Sequence, residues 1–264
     1  MEIIGFILAI FVGVSSGLIG AGGSILAIPI LVYLMGVEAA VTAPAYSLFV
    51  VGFASFVGTI IKSRQQQVNF KAALFFGIPT IISIFLTRKF LVPLIPESIF
   101  FIGDFELTNR ILILGIFSII MIGSALIMIK GETELKELNV KKKNRVINFV
   151  GGLCIGCLTG VVGAGGGFVI IPALTKLNNL KMKIAVGTSL AIISMNSFFG
   201  FLGSINTISI DWKVLLPFTG LAVGGIFIGQ KLSSKANESQ LKKGFGWFVL
   251  VMGTYIFIKE LFFN

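Results

Sequence analysis

Two matching glycine-rich stretches contain the residues of this sequence best suited to bind a ligand. Residues 17–31 read GLIGAGGSILAIPIL and residues 160–174 read GVVGAGGGFVIIPAL, so eight of the fifteen paired positions are identical. Each stretch lies within a long apolar run. A glycine in a helix interior costs about 1 kcal/mol relative to alanine. Three glycines within four residues therefore predict a broken helix in each run.

A helix that begins at such a break offers unpaired backbone N–H groups and the positive end of its dipole, which suit an anion. Ser24 adds a hydroxyl in the first copy, where Gly167 stands in the second. A proline further along each return arm frees a carbonyl one turn earlier, which could bind water or a coupling cation. The predicted substrate-binding backbone comprises Gly20, Ala21, Gly22, Gly23 and Ser24 in the first copy, and Gly163, Ala164, Gly165, Gly166 and Gly167 in the second. The two structural prolines are Pro29 and Pro172.

Three polar residues of the following apolar segments are further candidates for substrate contact. Ser47 and Ser189 stand at matching positions of the two copies, whereas Asn196 is matched by an alanine. A buried amide is costly in lipid unless it is paired, so Asn196 should face the protein interior. Two interpretations stay open, because such residues also form hydrogen bonds between membrane helices. The glycines likewise have an alternative role in close helix packing.

The sequence contains few residues or motifs suited to catalysis, nucleotide binding or metal binding. The sequence has no histidine, no phosphate-binding P-loop, no cluster with metal-ligand spacing and no nucleophile beside a base. We therefore predict no enzyme activity, no cofactor and no metal ion. We also expect no charged residue well inside a span, although some lie near helix ends. Cys154 and Cys157 form a C-x-x-C motif. The two cysteines either are small packing side chains in a membrane helix or carry thiols that relay sulfur.

The composition indicates an integral membrane protein. The 264 residues are 56% hydrophobic and only 12% charged, against about 25% charged in an average soluble domain. The net charge of +10 is explained by basic cytoplasmic loops, so nucleic acid is not expected as a partner. Apolar runs recur along the whole length, and we predict one all-α membrane domain over residues 1–264.

The duplication extends beyond the glycine motif. Residues 53–58 (FASFVG) match 195–200 (MNSFFG), and 68–71 (VNFK) match 210–213 (IDWK). The halves are residues 1–130 and 146–264, joined by a charged linker at 131–145 that we expect to be cytoplasmic. Transporters are commonly built from such repeats.

The length of the first run in each half predicts a hairpin. These runs have 35 and 30 residues without a charge, whereas a spanning helix needs about 20. A broken helix that re-enters the protein, followed by three transmembrane helices, gives two halves of inverted topology. This arrangement places 16 of the 21 basic residues in inside loops, with Arg88 among the five outside. The positive-inside rule favours this inverted arrangement over parallel halves. The inverted arrangement places both termini on the outer side of the cell membrane.

The paired G-x-x-G-x-G-G-[GS]…I-P-x-L motifs resemble those of the TauE/SafE family of sulfite and organosulfonate permeases. The resemblance covers nearly the whole chain and implies a membrane transporter, often an exporter, of sulfur oxyanions. It implies a small anionic substrate in a lipid bilayer, and leaves open a coupling proton or sodium ion and the oligomeric state. Alternatives are an anion or cation channel and the thiol relay.

Overall fold

Helices account for most of the described chain in the computed structural model, which describes residues 2–20, 22–38, 41–96, 98–102, 105–130, 145–163, 165–178, 180–233 and 238–262. The helices of the first half are α1 (Glu2–Ile19), α2 (Gly22–Tyr33), α3 (Thr42–Arg64), α4 (Phe70–Leu86) and α5 (Asn109–Lys130). Those of the second half are α6 (Arg145–Val162), α7 (Gly167–Asn178), α8 (Met182–Ser204), α9 (Trp212–Ser233) and α10 (Glu238–Phe262).

The end of α4 departs from regular α-helix. It continues as a π-helical turn over Thr87–Leu91 and a 3-10 turn over Val92–Leu94. Two short antiparallel strands follow, β1 (Ser98–Ile102) and β2 (Phe105–Thr108). π-helical turns occur frequently at functional sites.

Five helices among the described residues are long and apolar enough to cross a membrane: Thr42–Arg64, Phe70–Leu94, Asn109–Leu126, Lys183–Ser204 and Trp212–Ser233. Large apolar side chains lie exposed along their outer faces, including Phe75, Ile78 and Ile82 on α4. Exposed apolar surface of this extent is expected where lipid covers it. The predicted all-α membrane protein is confirmed, with the β1–β2 hairpin as a small addition.

The first glycine motif breaks the helix, and α2 returns along α1. A Cβ atom at Gly23 would meet the side chain of Ser16 on α1, and one at Gly5 would lie 3.9 Å from Leu34 Cβ. In one continuous helix Gly23 and Ser16 would be about 10 Å apart, so the chain must turn between them. Since Gly23 lies beside Ser16 and Gly5 beside Leu34, the two arms run antiparallel. In the second half, a Cβ at Gly166 would lie 3.2 Å from Thr159 Cβ, the equivalent contact at the same spacing.

The two halves pack through matching contacts. Helix α1 packs on α9 as α6 packs on α4, while α3 packs on α8 and α5 on α10. The agreement extends to single residues: Gly58 lies beside Leu190 and Ile226, and Gly200 beside Leu48 and Ile84. The orientation of the halves in the membrane and the exact division at 130 and 146 stay predictions, and residues 131–144 of the linker lie outside the described residues.

The short return arms occupy the protein interior. Ile25, Ala27 and Leu31 of α2 are fully buried, as are Ile170 and Leu174 of α7. The two arms contribute to both major hydrophobic clusters, one shared with α3 and α8 and the other with α5 and α10. Packing on several sides thus holds both helix breaks inside the molecule.

Candidate functional site

The backbone at the breaks explains why glycine is needed there. Gly20 has φ +81°, Gly163 +75°, Gly165 +64° and Gly166 +76°, values that L side chains rarely adopt. The first arm ends in the same way in both halves, since Gly20 N–H donates to the carbonyl of Ser16 and Gly163 N–H to that of Thr159, each at 2.8 Å. Helices α2 and α7 then begin at Gly22 and Gly167, while Ala21 and Ala164 lie outside the described residues.

Helix α8 passes both glycine turns and brings a serine to each. A Cβ at Gly20 would lie 3.3 Å from Ser189 Oγ, and one at Gly165 would lie 3.0 Å from Ser197 Oγ. The hydroxyl of Ser189 donates to the carbonyl of Val186 at 2.8 Å. In contrast, the buried Oγ of Ser197 has no hydrogen-bond partner. Sequence reasoning selected Ser189 for the site but not Ser197, although both occupy α8.

Two other predicted side chains are buried in the same part of the bundle. Asn196 accepts a hydrogen bond at 2.9 Å from the hydroxyl of Thr80 on α4, whereas its Nδ2 has no partner. Ser47 is fully buried on α3 with an unpartnered Oγ. Pro29 lies within α2. The side chains of Ser24 and Pro172 lie outside the description.

Sequence reasoning missed Arg88, the largest fully buried side chain in the described part of the chain. It is only 1% exposed, and it lies in the π-helical turn that ends α4. A Cβ at Gly163 would meet both Arg88 Nη2 and Pro44, so the guanidinium lies at the second glycine turn. Its Nε, Nη1 and Nη2 atoms have no hydrogen-bond partner.

Arg88 lies near the end of the span Phe70–Leu94, where the sequence allows a charged residue, but its burial was not predicted. Arg88 follows directly after a long uncharged run, and this position at the sequence edge of the run suggested a loop. A useful signal was present in the repeat. Lys89 matches Lys231, so Arg88 matches Gln230, a polar residue in the apolar helix α9.

Beside the first glycine turn, Gln230 takes the place that Arg88 takes beside the second. Its backbone N would lie 2.8 Å from a Cβ at Gly17, on the arm that leads to the first glycine turn. Its Nε2 donates to the carbonyl of Gly58 at 3.1 Å. The Oε1 atom is buried without a partner. The two turns thus differ: one has a buried cation beside it, and the other has a neutral amide on its neighbouring helix.

A second buried polar cluster ties the end of α2 to α5 and α10. Glu260 is 1% exposed and accepts hydrogen bonds from Nε and Nη2 of Arg110, both at 3.0 Å. The hydroxyl of Tyr33 donates to the same carboxylate at 2.8 Å. Lys259 Nζ lies 4.0 Å from the centroid of the Tyr33 ring. This charge pair is satisfied internally, unlike Arg88.

Within the described residues, no group of three or more His, Cys, Asp or Glu side chains is arranged to hold a metal ion. Cys154 and Cys157 are both exposed on α6 and form no disulfide.

Apolar helices long enough to span a membrane, packed around two broken helices, define an integral membrane protein. Comparison with known proteins gives the family. The chain belongs to the sulfite exporter TauE/SafE family, whose model matches residues 5–256. The sequence resemblance carried by the glycine motifs is thereby confirmed.

Similar proteins extend over nearly the whole chain. A probable membrane transporter protein of Xylella fastidiosa (strain 9a5c) is 27% identical, over 93% of this chain and 90% of its own length. Another of Haemophilus influenzae is 26% identical over 94% of both chains. One of Methanocaldococcus jannaschii is 27% identical, over 97% of this chain and 94% of its own. No solved structure matches the chain significantly.

Proposed function

We propose that this protein is a secondary transporter that moves small anions across the cell membrane, with sulfite or organosulfonate-type sulfur oxyanions as the substrate class. The family description as sulfite exporters supports this substrate class, and the names of the relatives support a membrane transporter. The backbone turns at 20–23 and 163–166 form the centre of the proposed site. Ser189, Ser197 and Asn196 on α8 are the proposed side-chain contacts.

The observation that carries this proposal is the second glycine turn. A helix N-terminus, a buried hydroxyl without a partner and a buried guanidinium without a partner meet there. Buried polar groups normally have hydrogen-bond partners, and unpaired buried charges are strongly unfavourable. Three sets of donors around one turn therefore favour an anionic ligand that supplies the missing acceptors.

Alternating access would expose this site to one face of the membrane at a time. Inverted halves, with both termini outside, would bring the two breaks towards the bilayer midplane, where transporter sites commonly lie. The halves interlock through α1–α9, α4–α6 and α3–α8, which argues against one half moving as a separate body. The α5–α10 pair packs chiefly on itself, and we propose that the remaining helices move relative to it.

The test is uptake of radiolabelled sulfite into proteoliposomes that contain the purified protein, with sulfate, thiosulfate, taurine and acetate as competitors. A transporter gives slow flux that saturates with substrate, whereas a channel gives fast flux that does not saturate. Repeating the assay under imposed proton and sodium gradients identifies the coupling ion. If no anion is taken up faster than by empty liposomes, the proposed function is wrong.

A further inference from the structure

Arg88 is buried, and none of the described residues forms a hydrogen bond with its guanidinium. Among the described residues, the acid whose charge acts on it is Glu38. That carboxylate is exposed, and it accepts hydrogen bonds from the N–H groups of Val41 and Thr42, at 3.1 and 2.9 Å, at the start of α3. Arg88 makes no hydrogen bond to it. A buried charge left in this way is costly, and a bound anion would remove the cost.

The surroundings of Arg88 add to its positive potential. A Cβ atom at Gly163 would collide with its Nη2, a few residues before α7 begins at Gly167. The N-terminal end of a helix carries a partial positive charge. Ser197 Oγ lies near Gly165 on the same turn and can donate a further hydrogen bond. The guanidinium, the helix end and the hydroxyl are thus associated with one turn.

The repeat distinguishes this turn from the other. At the place equivalent to that of Arg88, the first turn has Gln230, which is neutral and already donates to the carbonyl of Gly58. The nearby buried Lys62 donates to Gln67 at 3.1 Å. Among the described residues, the first turn therefore has no unpartnered cation equivalent to Arg88. The two turns also differ in their backbone, because α2 begins at Gly22, whereas α7 begins only at Gly167, after Gly165 and Gly166 with positive φ.

We infer that Arg88 binds the substrate at the second glycine turn, and that the substrate is an oxyanion with at least two oxygens on one central atom. This inference rests on the proposed function and specifies its charged ligand-binding residue. A guanidinium has five N–H donors in a planar fork, which matches two oxygens of a carboxylate, sulfite or sulfonate group. All three nitrogens of Arg88 are without a partner, so several acceptors are needed. A spherical halide cannot satisfy the fork in this way.

The test compares Arg88→Gln, Arg88→Lys and Lys89→Gln in the full-length protein. Gln is the residue that the fold itself holds at the equivalent position 230, so Arg88→Gln is expected to fold. Lys89 is exposed, with its Nζ over the rings of Phe85 and Phe90, so Lys89→Gln removes the same charge outside the site. Sulfite and chloride serve as probes. Binding is measured by thermal shift and by titration in detergent, and sulfite uptake in proteoliposomes.

We expect Lys89→Gln to bind sulfite like the wild type and Arg88→Gln to bind it at least 10-fold more weakly, because a charge-assisted hydrogen bond contributes roughly a factor of ten or more. Arg88→Lys should retain the charge but lose most of the preference for sulfite over chloride. Without anion, Arg88→Gln should unfold at the same temperature as the wild type or higher, since an uncompensated charge is removed.

The possible results separate the two proposals. If the wild type takes up sulfite and Arg88→Gln binds and transports it equally well, Arg88 has no role in binding, while the proposed function stands. If Arg88→Gln unfolds at a much lower temperature without anion, and Arg88→Lys keeps the wild-type preference for sulfite, Arg88 is structural and the inference is overturned. If the wild type binds and transports no anion, the proposed function fails and the inference fails with it.

Discussion

Gly166 faces Thr159 across the break between α6 and α7. A Cβ atom at Gly166 would lie 3.2 Å from Thr159 Cβ, and in the first half a Cβ at Gly23 would lie 3.2 Å from Ser16 Cβ. In each pair the missing side chain lets the return arm approach the first arm. The glycine motif therefore sets the closeness of the two arms as well as the shape of the turn between them.

Gly166→Val should abolish anion flux while the protein still inserts into the membrane. Its φ of +76° would cost a β-branched residue about 1–3 kcal/mol, and the added side chain would collide with Thr159. Flux is measured in proteoliposomes, with protein in the membrane quantified by immunoblot. Gly224→Val on α9 is the control, because an added Cβ there has no neighbour within 4 Å. Undiminished flux in Gly166→Val would exclude this turn from the site.

Gly156→Leu should destabilise the packing of α6 on α4. A Cβ at Gly156 would lie 2.6 Å from the carbonyl oxygen of Thr80, and overpacking typically costs about 1–3 kcal/mol. Thermal unfolding in detergent should show a lower midpoint than the wild type. Gly115→Leu on α5 should change it little, since an added Cβ there meets nothing within 4 Å. Equal midpoints for the two variants would contradict the close α4–α6 packing.

Arg110→Ala should reduce stability by removing the two charge-assisted hydrogen bonds that buried Glu260 accepts from Arg110. The expected loss is about 1–3 kcal/mol, as for a broken hydrogen bond to a charged group. The double variant with Glu260→Gln should lose less than the sum of the single changes, since it leaves no unpaired charge. Chemical unfolding of all four proteins gives this cycle. Strictly additive losses would show that the pair is not coupled.

Cys154→Ser combined with Cys157→Ser should leave sulfite flux within about twofold of the wild type. Both thiols are exposed and lie apart from the contacts described at the second turn. Lost flux with normal amounts of protein in the membrane would instead favour the thiol relay. The wild type treated with a thiol-alkylating reagent provides an independent comparison.

Reporters in the linker and at the C-terminus should lie on opposite sides of the membrane. A hairpin and three spans in the second half place residues 131–145 inside and the C-terminus outside. Alkaline phosphatase, active outside, and green fluorescent protein, fluorescent inside, are fused at each position in turn. A fluorescent C-terminal fusion would contradict the inverted topology and favour parallel halves.

Local chemistry explains which parts of the site were predictable. The breaks at Gly20–Gly23 and Gly163–Gly166 follow from the cost of glycine in a helix, which depends little on what packs around it. Ser189 could be proposed from the sequence because it matches Ser47 in the repeat. Its position beside Gly20 is seen only in the structure. The burial of Arg88 was not predicted, because a charged residue at the end of an apolar run can lie either in a loop or in the protein interior. The sequence pattern is the same in both cases.

The sequence by itself determined the membrane class, the duplication and the two broken helices, because hydrophobicity and backbone preference act over short stretches of chain. Only the tertiary structure decided that the π-helical turn after α4 keeps Arg88 inside and beside Gly163. It also decided that Gln230 takes the equivalent place in the other half. These positions depend on the packing of α4 against α6 and α8, which brings together residues far apart in sequence.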